Sequence, residues 1–193
     1  GVSNPKADSL RIKSLAQIVR NSTLAVPVEM DADNIEAVWN ALVEAAHPRL
    51  IVKAAVSPAR MEYVYRKKAD AMLEDIAATI AECRKRADDV EFIAEDATRA
   101  DEAFLKEAVE LAIAKGATTV TICDATGNML GDEFAAFLAS LIAEIPALAD
   151  VTVGIAVANT LSMAHWKDLV WEDGTVEDTQ YSAVYDQRNL TLT

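Results

Sequence analysis

Histidine and cysteine are scarce in this chain of 193 residues, with two of each. His47 and His165 stand far apart and lack ligand spacing, so nothing supports a zinc site. Cys83 and Cys123 are too few for a disulfide framework. Basic residues are short as well, 18 against 31 acidic, for a net charge of −13. That balance repels a nucleic-acid backbone and an anionic membrane surface alike. The one basic run, "YRKKAD" at Tyr65–Asp70, reads as a solvated helix start. No apolar run approaches the roughly 20 residues needed to cross a bilayer. No signal-peptide pattern is visible, and a cytoplasmic location is the expectation. No linker and no internal repeat interrupts the chain, so a single domain over residues 1–193 is expected.

What is present is alternation. Hydrophobic residues make up 52% and charged residues 25%, a globular composition. Helical spacing predicts helices over Asp8–Arg20, Asp31–His47, Ala69–Ala87, Ala100–Gly116 and Gly131–Ile145. Short apolar runs predict strands over Ser22–Met30, Arg49–Ser57, Asp89–Asp96, Thr118–Ala125 and Asp150–Ile155. After Ile155, "AVANTLSMAHWKDLVW" reads at once as a helix. The β-rich end "TQYSAVYDQRNLTLT" reads as one or two strands. Units of about 30 residues are the mark of βαβ crossovers and a parallel sheet, here expected to be covered on both faces. Six or seven strands fall short of the eight of a closed barrel, which typically takes about 250 residues. An open α/β sheet or an incomplete barrel is the expectation.

The run "DDVEFIAEDATRADEAFLKEAVELAIAKGATTVTICDATGNMLGDEFAAFL" (Asp88–Leu138) resembles the barrel of the 2-isopropylmalate, homocitrate and citramalate synthases. The hydroxymethylglutaryl-CoA lyases are more distant relatives of that family. "RMEYVYRKKADAML" (Arg60–Leu73) is similar to its "HMEYKLKKT" helix entry, and "GIAVANTLSMA" to its "GLAVANSLAA". The likeness covers roughly residues 4 to 164, leaving a divergent tail from about 165 to 193. It implies a TIM-barrel-like fold, a divalent metal holding a 2-oxo acid, and acetyl-CoA adding to that acid. The metal would polarise the keto group and a base would deprotonate the acetyl methyl.

The residues for those roles are largely missing. The family's "TLRDGEQ" strand, whose Asp binds metal, has no counterpart, and the chain reads as beginning after the second strand. Where the family has "H-x-HND", with two metal-binding histidines, "VTV" here joins "GIAVAN" directly. Ile51 stands at the His of "RIHTF", Ile93 at the Ser of "EFSPED", and Ala125 at the Thr of "DTVG".

The resemblance makes Glu95 the surviving catalytic candidate; the alternative is a carboxylate paired with Arg99 or Lys53. Asp96, Arg99, Asp124 and Thr126 are the candidate substrate-binding residues. Asp124 reads equally as the cap of its own turn. No metal ligand and no cofactor is expected. His47 reads as a cation at a helix end, His165 as surface or interface, and Cys123 as a small apolar filler. "DATGNMLGD" lacks the glycine spacing of a phosphate loop. Asn159 reads as packing, and "WKDLVWEDG" (Trp166–Gly174) as core or partner surface. With the early strands missing, "TLAVPVEM" would be a bare sheet edge, covered by a second copy or by the chain's own tail. The expected function is a degenerate relative of these synthases, without a metal site, acting as a binding or subunit-type protein for a small carboxylic acid. The alternative is an active acyltransferase or lyase whose missing residues come from a partner chain.

Overall fold

A computed structural model describes residues 5–158 and 181–185. Helix α1 (Pro5–Ile18) leads into β1 (Leu24–Val28), and α2 (Ala32–Leu42) into β2 (Pro48–Ala55). A single turn, α3 (Pro58–Arg60), then runs into a π-helical turn at Met61–Tyr65. Helix α4 (Ala69–Arg84) precedes β3 (Val90–Glu95), α5 (Glu102–Ala114) precedes β4 (Thr119–Asp124), and α6 (Gly131–Glu144) precedes β5 (Thr152–Val157). The sixth strand, β6, is Tyr181–Tyr185. The strands lie in chain order; β1 to β5 are parallel and β6 runs antiparallel to β5. This is an α/β fold with a partial TIM-barrel-like parallel sheet and surrounding helices.

Local chemistry sets the element ends. The Asp31 carboxylate accepts from Asn34 N–H at 3.0 Å and caps α2. Asp101 does the same for α5 through Phe104 N–H, also at 3.0 Å. Gly116 follows α5 at φ +108°, a conformation that an L side chain rarely adopts.

Every crossover steps to the next strand in the same direction, and such crossovers are right-handed, so the helices gather on one face. Leu50, Val52 and Ala54 of β2, with Val90, Phe92 and Ala94 of β3, are fully buried in that core. So are Met72, Ile76 and Ile80 of α4. Burying each large side chain contributes roughly 1.5–3 kcal/mol. Between these positions Arg49, Ile51 and Lys53 alternate on the other face, as do Glu91, Ile93 and Glu95, and none of them is buried. Among the described residues the second face of β2 and β3 is therefore not covered, against what the apolar strands suggest. Strict burial alternation, buried then half-buried along β3, is what reveals it.

Three further expectations change. Ala156 and Val157 extend β5 rather than start a helix, paired with Cys123 and Asp124 of β4. Ladder pairing outweighs the helix propensity of alanine there. His47 does not sit at the end of α2, which stops at Leu42; its carbonyl accepts from Leu24 N–H at 2.9 Å. The tail strand β6 does not cover the bare edge, because it pairs with β5 and leaves β1 at the opposite margin. Leu24 faces β2, so strand alternation turns the backbone groups of Ala25 and Pro27 outward. Asn159, His165 and the Trp166–Gly174 stretch lie outside the described residues, as does the remainder of the helix expected after Ile155. Among the described residues no helix is long and apolar enough to cross a membrane.

Candidate functional site at the strand ends

In parallel α/β sheets, ligands bind at the carboxyl ends of the strands, where loops leave the ladder. Here that end holds a cavity of about 500 Å³. Its apolar wall is Pro27, Val28 and Met30 from β1 and the residues after it. Its polar wall comes from the next two strands: Lys53 on β2, Arg60 and Tyr65 on the turns that follow, and Glu95 at the end of β3.

Glu95 is the centre of this group, its side chain 13% exposed. Lys53 Nζ lies 3.6 Å from Oε1, and Arg60 Nη2 lies 3.6 Å from Oε2. Tyr65 Oη donates to Oε2 at 2.9 Å. Burial first, then the charge of Glu95 and this hydrogen bond, hold the Tyr65 phenol well above its ordinary pKa. Tyr65 therefore remains a donor across the physiological range. Of the partners foreseen for Glu95, Lys53 is present and Arg99 is not.

Arg99 instead holds Asp96, with Nε to Oδ1 at 2.8 Å and Nη2 to Oδ2 at 2.6 Å. Ser57 Oγ also donates to Asp96. Asp96 is fully buried at φ +65°, so its carboxylate ties the end of β2 to the loop after β3. Burial pushes its pKa up, but the hydrogen bonds from Arg99 and Ser57 and the charges of Arg99 and Arg60 outweigh it, and the net shift is downward. Asp124, also fully buried, accepts from Thr98 Oγ1 at 2.9 Å and from Gly127 N–H at 3.1 Å. It thus caps its own turn. Thr126 is exposed and meets Asn128 Oδ1 at 3.0 Å. Glu95 is thus the one site candidate of the five that lines the cavity.

Arg60 and Tyr65 do not stand out by their pattern. Both fall in the stretch similar to the family's helix entry, and Tyr65 opens the run that reads as a solvated helix start. The π-helical turn, closed by Arg66 at φ +55°, is what swings Tyr65 onto Glu95. The family resemblance over Arg60–Leu73 is the one signal pointing to that stretch.

The donor set does not suit the divalent metal that the resemblance implies. Among the described residues no group of three or more His, Cys, Asp or Glu converges to hold an ion. The cavity's inner carboxylate is already met by a lysine and an arginine, and these cations oppose a dication in the same place. The remaining lining acids are engaged elsewhere or sit at the rim. Asp31 caps α2, and Glu29 is exposed.

Comparison with known proteins gives a consistent ancestry. A family model described as HMGL-like matches residues 3–167. A 2-isopropylmalate synthase of Syntrophus aciditrophicus is 33% identical over 165 residues, covering 81% of this chain and 32% of the relative. That of Xanthomonas axonopodis pv. citri is 35% identical over 164 residues, with the same coverage of 81% and 32%. That of Carboxydothermus hydrogenoformans is 31% identical over 163 residues, covering 80% and 32%. The chain spans about a third of the length of these curated relatives.

Proposed function

The chain belongs to the HMGL-like family, and from that premise we propose that it binds a small carboxylic acid and does not by itself catalyse a metal-dependent condensation. The observation that carries this reading is the state of Glu95. Cations beside a carboxylate repel a dication from it and weaken it as a base. Both oxygens of Glu95 are met by neighbours, Oε1 by Lys53 and Oε2 by Arg60 and Tyr65. Ile51 and Ile93 on the same face as Lys53 and Glu95 add no donors to replace it. Calorimetric titration with Zn²⁺ and Mn²⁺ tests the reading. Little or no heat at micromolar metal is expected; stoichiometric binding in that range sinks it.

The open margin of β1 favours a second reading, in which a partner chain extends the sheet there and supplies the missing residues of an acyltransferase. Its test is mass photometry of the chain with and without full-length relatives, followed by a condensation assay of any complex. A chain that stays monomeric throughout and adds no turnover rules it out.

A further inference from the structure

We infer that Asp96 and Ser57 are positioning residues of the cavity: buried behind its polar wall, they fix the turn from which Arg60 and Tyr65 reach Glu95. The inference concerns how the wall is held, and stands whichever ligand the cavity takes. Three observations carry it. First, the turn has little of its own to hold it. Between Pro58 and Tyr65 only Met61 is buried, while Tyr63 and Val64 are exposed. A segment with so few buried contacts opens easily unless its ends are tied. Its far end is tied by the bond from Tyr65 to Glu95. Its near end is tied by Ser57, whose carbonyl accepts from Met61 N–H at 3.0 Å and whose Oγ accepts from Arg60 N–H at 3.3 Å. Second, Ser57 is fully buried and its hydroxyl carries one proton. That proton goes to Asp96, which leaves the oxygen lone pairs for Arg60 N–H. Asp96 thereby sets the hydroxyl rotor, and Arg99, bound to both oxygens of the same carboxylate, sets Asp96. Third, the backbone at Asp96 lies in the left-handed region. A residue other than glycine keeps that conformation only where its surroundings hold it, and such positions gather at functional sites.

The result is a line of bonds from Arg99 through Asp96 and Ser57 to the backbone of Arg60, and of these only Arg60 lines the cavity. Two residues outside the wall thus decide where Arg60 and Tyr65 stand. Loss of either releases the near end of the turn, and Tyr65 then exchanges Glu95 for water. Its phenol, held high by burial and by Glu95, returns toward its ordinary value.

The test is ultraviolet titration of the full chain at about 295 nm, with circular dichroism at each pH to verify that the fold persists. Between roughly pH 9 and 11, Ser57→Ala and Asp96→Gly are each expected to ionise about one tyrosine more than the wild type. Glycine keeps the left-handed backbone while removing the carboxylate. Adding Tyr65→Phe to either variant is expected to abolish the excess. Gly154→Ala, which loosens β5 away from the turn, is the control for a general loss of stability and is expected to titrate as the wild type does. Ser57→Ala carries the test where Asp96→Gly does not fold. A wild-type titration in folded Ser57→Ala overturns the inference. So does an excess that survives Tyr65→Phe, or one that appears equally in Gly154→Ala.

Discussion

Tyr65 Oη and Glu95 Oε2 lie 2.9 Å apart across 30 residues of sequence, and this bond fastens the turn after β2 to the end of β3. Tyr65→Phe removes the bond and leaves Glu95 with its two cations. A loss of about 1.5 kcal/mol is expected in urea melts, because the acceptor is charged and half-shielded. The alkaline limb gives a second readout. A phenol whose pKa is raised on folding contributes stability below its ordinary value of 10.0 and loses it as the pH climbs beyond. Absorbance at about 295 nm between roughly pH 9 and 11 is therefore expected to rise by the same amount in Tyr65→Phe and in the wild type, since Tyr65 does not ionise there.

Asp96 carries the acid counterpart. Its lowered pKa means that its contribution is complete above the ordinary value of 3.8 and is surrendered as the pH falls below it. Asp96→Asn keeps a residue that tolerates φ +65° and loses the ion pair with Arg99. Arg99 is partly exposed, so solvent discounts the pair, and a cost of about 1–3 kcal/mol at neutral pH is expected. Chemical denaturation from about pH 5 down to about pH 2 is expected to show a constant gap above about pH 4 and a narrowing one below it. A gap that stays constant over that interval contradicts the assignment.

Gly154 on β5 faces Thr121 on β4 so closely that a Cβ would lie 2.5 Å from Thr121 Oγ1. The hydroxyl cannot simply rotate aside, because it is held by Glu91 Oε1 at 2.6 Å. Gly154→Ala is expected to destabilise by about 1–3 kcal/mol. Thr121→Ala in the same chain removes the obstructing oxygen, so the double variant is expected to recover part of the loss. A double-mutant cycle in urea measures this coupling.

Burial pushes the Cys83 thiol up to about 12 and raises that of the half-buried Cys123 as well. Neither is a ready nucleophile at neutral pH. A chromogenic disulfide reagent at about pH 8 is expected to label Cys123 slowly and Cys83 more slowly still, and both at once in urea. Rapid labelling of Cys83 in the folded protein contradicts its place inside α4.

The fold is legible in the sequence because burial and pattern agree along most strands. "VEFIAE" reads as a strand and its burial alternates in the sheet, and Asp31 and Asp101 stand where helix caps belong. The limits of legibility are equally specific. Ala156 and Val157 open a run that reads as a helix, and the β4 ladder decides otherwise, which no local window contains. Glu95 is found through resemblance, and Lys53 as its partner through proximity of strand ends. Arg60 and Tyr65 escape notice because a π-helical turn breaks the periodicity by which helical neighbours are recognised. Asp96 and Arg99, adjacent to the site in sequence, bind each other instead.

Pro27 has a consequence for how these molecules meet at high concentration. It lies on the outward side of β1, where a neighbouring molecule seeking lateral contact would look for amide hydrogens, and it presents a ring carbon instead. Ala25 alone, within that strand, still offers one. A ribbon grown by stacking chains along this rim would therefore be interrupted at every junction, and replacing Pro27 with valine would restore the amide hydrogen that such stacking requires.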